Sequence, residues 1–402
     1  MSTATLDSPR ADFRIIALIG FVHGVSHFFH LLLPPLFPWL MPEFGLSFTE
    51  IGVSMTLFFV VSGIGQALAG FLVDRFGALR VLACGIACFV LAGLLLYLSQ
   101  SYVMLLAVAA LAGLGNSVFH PADFTVLNHK VSQARLGHAF SVHGLSGNIG
   151  WACAPLFMTT LASAYGWRLA GLGAAGLGLL SLLALISQRH ILHEVVQPPS
   201  GNQAPAERAS TLDFLRSLPV WLCFLFFFFI TSAFGGIQNF ISPILQALYG
   251  FSLQHAALGL SIYMIGSAIG IVLGGFLAQK GEHDHLIAAA LGMAALLAML
   301  LASQYLPAWS ILPLMAGIGF FSGCAGPSRD LLVRRAATAR FGKSAFGRIY
   351  GFVYSGLDLG LACAPLFFGG LMDQQAFGSV LVGIAIFQSL AIFTALRVGK
   401  LA

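Results

Sequence analysis

Three histidines, His23, His27 and His30, recur at i, i+4 and i+7 within an otherwise apolar stretch, so a helix there carries all three imidazoles on one face. An unperturbed imidazole titrates near pH 6.5, and such a face could shuttle protons. It could equally contact an anionic or metal-bearing substrate, or supply ordinary hydrogen bonds to neighbouring helices. The other ionisable residues embedded in apolar sequence are His120, Asp123, His143, Arg329, Asp330 and Asp358. A charge in hydrocarbon is costly, so each is a candidate for substrate contact or proton coupling. Metal sites usually mix histidine with carboxylate, and the three-histidine stretch has no carboxylate of its own. No metal ligand is therefore assigned and no cofactor is expected. The chain has no HExxH, GxSxG or paired-carboxylate motif, and enzymatic function is not expected. A GxxxxGK[ST] phosphate loop is also absent, so any transport would draw on an ion gradient or the substrate's own gradient.

The elements that position these groups follow from composition. Hydrophobic residues make up 58% of the 402-residue chain and charged residues 8%, against about 25% charged in a soluble domain. Lipid must be the solvent for so much apolar surface. Crossing the hydrocarbon takes about 20 apolar residues, and twelve such spans are expected, at 13–40, 48–73, 80–99, 102–126, 138–163, 167–186, 219–248, 254–278, 286–302, 308–332, 346–370 and 375–396. The fold class is all-α integral membrane. Nearly every Lys and Arg falls on the side of the termini, so the net charge of +5 marks the cytoplasmic face rather than a nucleic-acid partner. Both termini are expected in the cytoplasm and the protein in a bacterial inner membrane. The first apolar run is too long for a signal peptide and is read as a retained span. The six cysteines lie inside spans and read as small packing residues. Pro34, Pro35, Pro38 and Pro243 are expected to break the outer ends of spans one and seven.

The chain also repeats itself. Ala-Cys-Ala-Pro-Leu-Phe stands at Ala152 to Phe157 and again at Ala362 to Phe367, and Gly-Phe-Leu-Val-Asp-Arg at Gly70 returns as Gly-Phe-Leu-Ala-Gln-Lys at Gly275. Two six-span bundles, 1–187 and 218–402, joined by a polar linker at 188–217, follow from this. Duplicated bundles are the layout of a secondary transporter, with substrate held between the halves. The copies differ where the chemistry lies: Asp123 aligns with Arg329, and Asn148 with Asp358. Asp123 and Arg329 are expected to pair across the halves and close the cytoplasmic side, with Asp330 as a competing partner for Arg329.

The loop from Gly70 through Asp74, Arg75 and Gly77 to Arg80 resembles the signature GxLaDrxGrrxxl of the major facilitator superfamily, with Ala78 and Leu79 in place of basic positions. The resemblance implies that Asp74 caps a neighbouring helix and pairs with basic residues, latching the outward-open state. Ser26-His27-Phe28-Phe29-His30, Glu43 to Gly52, Gly113-Leu114-Gly115-Asn116-Ser117-Val118-Phe119-His120-Pro121 and Gly144 to Gly150 are similar to the fosmidomycin-resistance branch of that superfamily. Departures are His30-Leu31 and Ala122-Asp123, where relatives tend to carry Asn-Asp and a Glu, and Gly150-x-x-x-Ala154-Pro155 in place of GxxxGP. What the resemblance implies is a central cavity lined by spans one, four, seven and ten, and a proton-driven exporter of a small organic molecule or drug that works by alternating access. A proton-linked importer of an organic anion and an exporter of a metal or metal chelate are the alternatives. The expected partners are the substrate, protons and the bilayer, and the expected state is a monomer.

Overall fold

The computed structural model describes residues 9–132, 135–192, 216–278, 283–341 and 346–401. Among them every regular element is helical. The first half contains α1 (Pro9–His30), α2 (Phe37–Phe44), α3 (Phe48–Phe76), α4 (Ala78–Leu98), α5 (Tyr102–Asn116), α6 (Phe119–Lys130), α7 (Leu136–Tyr165), α8 (Trp167–Ser187) and the short α9 (Arg189–Leu192). The second contains α10 (Leu218–Tyr249), α11 (Leu253–Ala278), α12 (His283–Ala302), α13 (Ile311–Phe341), α14 (Phe346–Asp373) and α15 (Phe377–Leu401). Among the described residues, eleven segments are long and apolar enough to cross a membrane. The remaining expected span is α7, 30 residues long, whose His143, Ser146 and Asn148 lower its hydropathy. Most of the expected linker, 193–215, lies outside the described residues.

Local chemistry sets the breaks. Pro34 and Pro35 end span one, which resumes after a 3-10 turn as α2. Span four splits into α5 and α6 just before Pro121, which has no N–H for the Ser117 carbonyl. Span seven departs from expectation: α10 runs unbroken through Pro243 for 32 residues. α3 starts with a capping box in which Ser47 Oγ accepts from Glu50 N–H while the Glu50 carboxylate accepts from Ser47 N–H. Gly77, at φ 83°, makes the turn into α4.

The two halves meet along α3 against α14 and α7 against α11, and the contacts obey the repeat. Thr56 Oγ1 donates to the Ala362 carbonyl at 2.7 Å. Its repeat mate Ser261 donates to the Ala152 carbonyl at 2.6 Å. Each acceptor lies one residue past the carbonyl that Pro155 or Pro365 leaves without its helical donor. Nearer the far face, opposite the termini, Asp373 accepts from Phe48 N–H, Thr49 N–H and Thr49 Oγ1, and Gln254 Nε2 donates to Ser163 Oγ at 2.9 Å. Thr49 and Gln254 are repeat mates, as are Ser163 and Asp373.

Closer to the terminal face the halves part. A cleft of about 370 Å³ separates α7 from α11, lined by Leu145, Asn148, Ile149, Ala268 and Val272 among others. The described residues clasp the halves at the far face and leave this cleft between α7 and α11 on the terminal side of the Ser261–Ala152 contact.

Candidate functional site

Close packing of α1 on α7 builds the site. A Cβ at Gly24 would lie 3.0 Å from the Ser146 carbonyl, and one at Gly147 would lie 2.6 Å from the His27 ring. Small residues there let the helices approach until His23 stacks on His143, ring centroids 3.5 Å apart. The i, i+4, i+7 pattern holds: His23, His27 and His30 share one face, and all are buried.

Five histidines and one carboxylate converge on this point. His143 Nε2 donates to Asp123 Oδ2 at 3.1 Å. His23 Nδ1 lies equally close to the same oxygen, 3.1 Å, but off the line a hydrogen bond requires. Asp123 is 0% exposed, and its Oδ1 has no partner. His120 reaches the cluster from α6, its ring centroid 5.4 Å from that of His23, and its Nδ1 donates to Gln66 Oε1 at 3.0 Å. His30 Nε2 donates to Asn116 Oδ1 at 2.8 Å, and Asn116 Nδ2 donates on to Ser62 Oγ at 2.8 Å. His27 has neither ring nitrogen hydrogen-bonded. Trp151 covers it, 4.2 Å centroid to centroid, and touches Phe234 of the opposite half.

The cross-half ion pair is not formed. Asp123 turns into its own half, and the Arg329 guanidinium lies 4.8 Å over the ring of Phe227 in the second bundle. Repeat symmetry fixes equal depth in spans four and ten, not the direction a side chain takes. The side chain of Asp330 lies outside the described residues. Asn148 donates to the Gly144 carbonyl of its own helix at 3.1 Å and lines the cleft. Asp358, its repeat mate, sits at the seam: a Cβ at Gly63 of α3 would lie 3.4 Å from the Asp358 Cβ and 3.6 Å from its Oδ2. The sequence pattern missed Gln66 and Asn116, both polar residues in apolar spans, and Asp373, which reads there as a loop residue. It also missed Asp12, which at the terminal face accepts from Ser132 Oγ at 2.6 Å and Arg135 Nη1 at 2.9 Å, tying α1 to the α6–α7 connection.

A family model of the Major Facilitator Superfamily matches residues 16–337 and 233–400. The chain belongs to the major facilitator superfamily. It is 30% identical over 292 residues to the fosmidomycin resistance protein of Escherichia coli (strain K12), covering 71% of this chain and 70% of that protein. The membrane sensor protein UhpC of Salmonella typhimurium is 24% identical over 324 residues, covering 77% and 73%. In fold, the chain matches the crystal structure of a bacterial homologue of the human lysosomal transporter Spinster at a TM-score of 0.78, with 14% identity and 98% of both chains covered.

The superfamily loop has the turn its glycines imply at Gly77, but Gly70 has no atom within 4 Å of a built Cβ, so it mediates no close helix approach in this state. Arg75 and Arg80 are exposed, and Arg75 lies 5.2 Å over the Phe76 ring. The side chain of Asp74 is outside the described residues.

Proposed function

We propose that this superfamily member is a secondary active exporter of a small organic molecule, driven by protons moving the other way. The carrying observation is Asp358. Its carboxyl faces Gly63 across the seam where the halves begin to part, and among the described residues no cation lies within ion-pair distance of it. An unpartnered carboxylate between helices is costly in a low-dielectric seam. Protonated, the group tolerates a packed seam; ionised, it favours the arrangement that gives it water. Proton exchange at this position biases which face is open. Substrate contact falls to the histidine cluster, with Asn148 at the cleft and Arg329 in the second bundle. Asp74, Arg75, Gly77 and Arg80 serve the outward-open latch. The orientation that goes with this reading places both termini in the cytoplasm of a bacterial inner membrane, with a monomer as the working unit.

The similarity to a fosmidomycin resistance protein supplies the first probe. In proteoliposomes with an internal pH dye, a fosmidomycin gradient should drive protons opposite to the drug. Asp358→Asn should retain fosmidomycin exchange while losing about ten-fold or more of its response to an imposed pH gradient. Proton movement in the same direction as the drug would overturn export by antiport.

A further inference from the structure

The histidine cluster holds more polar atoms than its hydrogen bonds use. Buried polar groups are almost always partnered, and each orphan calls for an ion or a water. Here both nitrogens of His27, Nδ1 of His30 and Oδ1 of Asp123 are buried without a hydrogen bond, and His23 Nδ1 is off-line. They belong to one group of side chains. We infer that this group binds a divalent transition-metal ion of the zinc, cobalt and nickel class, through His23, Asp123 and His143.

The geometry suits such an ion. Zinc takes imidazole nitrogen and carboxylate oxygen at about 2.0–2.2 Å, which in a tetrahedron sets neighbouring donors about 3.3 Å apart. Both His23 Nδ1 and His143 Nε2 stand 3.1 Å from Asp123 Oδ2, and the three donor atoms all lie within 4.8 Å of one another. Binding one ion requires the two rings, stacked 3.5 Å apart, to turn until their nitrogens converge, and the ion then takes the place of the proton in the His143 to Asp123 hydrogen bond. The single helix with three histidines lacks a carboxylate, and the fold supplies it from α6. One acidic ligand against a divalent charge also offsets the cost of burying Asp123. Nitrogen donors exclude magnesium and calcium, which require oxygen shells.

A second set, His23, His27 and His120, likewise has its donors within 4.8 Å of one another and shares His23 with the first. Three protein donors leave a fourth position to water, the arrangement of sites that exchange ligands rather than of closed structural zinc. Overlapping sets with an open position suit an ion that enters and leaves. This assignment shares its histidines with the proposed substrate contact, but its test reads metal binding alone, so it fails or holds separately from proton antiport.

The test is binding to the full chain, free of any histidine tag, in lipid nanodiscs. Calorimetry with Zn²⁺ should give saturable one-to-one binding, and Co²⁺ should develop the visible d–d absorption of a tetrahedral nitrogen and oxygen site. His23→Ala and Asp123→Asn should each weaken binding about ten-fold or more, and His285→Ala, an exposed histidine at the terminal face, should leave it unchanged. The Co²⁺ spectrum of the unmodified chain needs no variant and tests the idea even where a substitution harms folding. No saturable binding by the unmodified chain, or equal binding by the His23 and Asp123 variants, would overturn the assignment.

Discussion

His30, Asn116 and Ser62 form a relay in which each buried polar group satisfies the next. An unsatisfied buried donor costs about 1–3 kcal/mol, so Asn116→Leu should lower unfolding free energy by about that amount, read by denaturant titration in detergent. Asn116→Gln, which retains the amide, should recover part of the loss. Equal stability of the Leu variant and the parent chain would show that water already serves His30. The three-histidine face was legible from spacing alone, because helical periodicity turns i, i+4 and i+7 into geometry. The partners of that face were not. Asp123 was visible as a charge in an apolar span, but its direction depends on the α5–α6 break before Pro121 and on how closely α1 approaches α7. Neither is a property of any single stretch of sequence.

At the scale of elements, the start of α3 is held twice, by its own capping box and by Asp373 from the other half. The second hold places a carboxylate on the first N–H groups of a helix, where the dipole favours negative charge. Charge-assisted bonds of this kind contribute about 1.5 kcal/mol or more, about a ten-fold change in a two-state equilibrium. Asp373→Ala should therefore raise the population open at the far face about ten-fold, measured by spin-label distances between Gln100→Cys and Gln374→Cys in chains with the native cysteines replaced. An unchanged distance distribution would mean that the clasp is ornamental to gating. Asp12 at the opposite end predicts a different outcome. Asp12→Ala unties α1 from Arg135 within one bundle, so it should reduce thermal stability and leave the distribution between faces unaltered.

Across the whole molecule, the duplicated motif read as evidence of two bundles, and the hydroxyl contacts at Thr56 and Ser261 follow the same repeat. Its further use as an interface was not legible, because the repeat shows which residues correspond and not which ones touch. Thr56 and Ser261 correspond, and each grips the carbonyl of a corresponding alanine in the opposite bundle. The wedge experiment belongs at this scale. A Cβ at Gly52 would already lie 3.1 Å from the Pro365 carbonyl, so Gly52→Leu should hold the far face apart, abolishing exchange in proteoliposomes while leaving the protein monodisperse in detergent. Transport at the parent rate by that variant would contradict closure along α3 and α14.

The two hydroxyl clasps have a mechanical consequence. They stand on opposite flanks of the molecule, at Ala152 and Ala362, and bear the same relation to both bundles. A line drawn through them is the natural axle for any rigid rocking of one half against the other. Points on an axle do not travel: the far-face clasps and the Gly77 turn swing through the widest arcs, while Trp151 and the histidines beside it scarcely move. With substrate at the histidines, as proposed, cargo would stay nearly still while the barriers are carried past it.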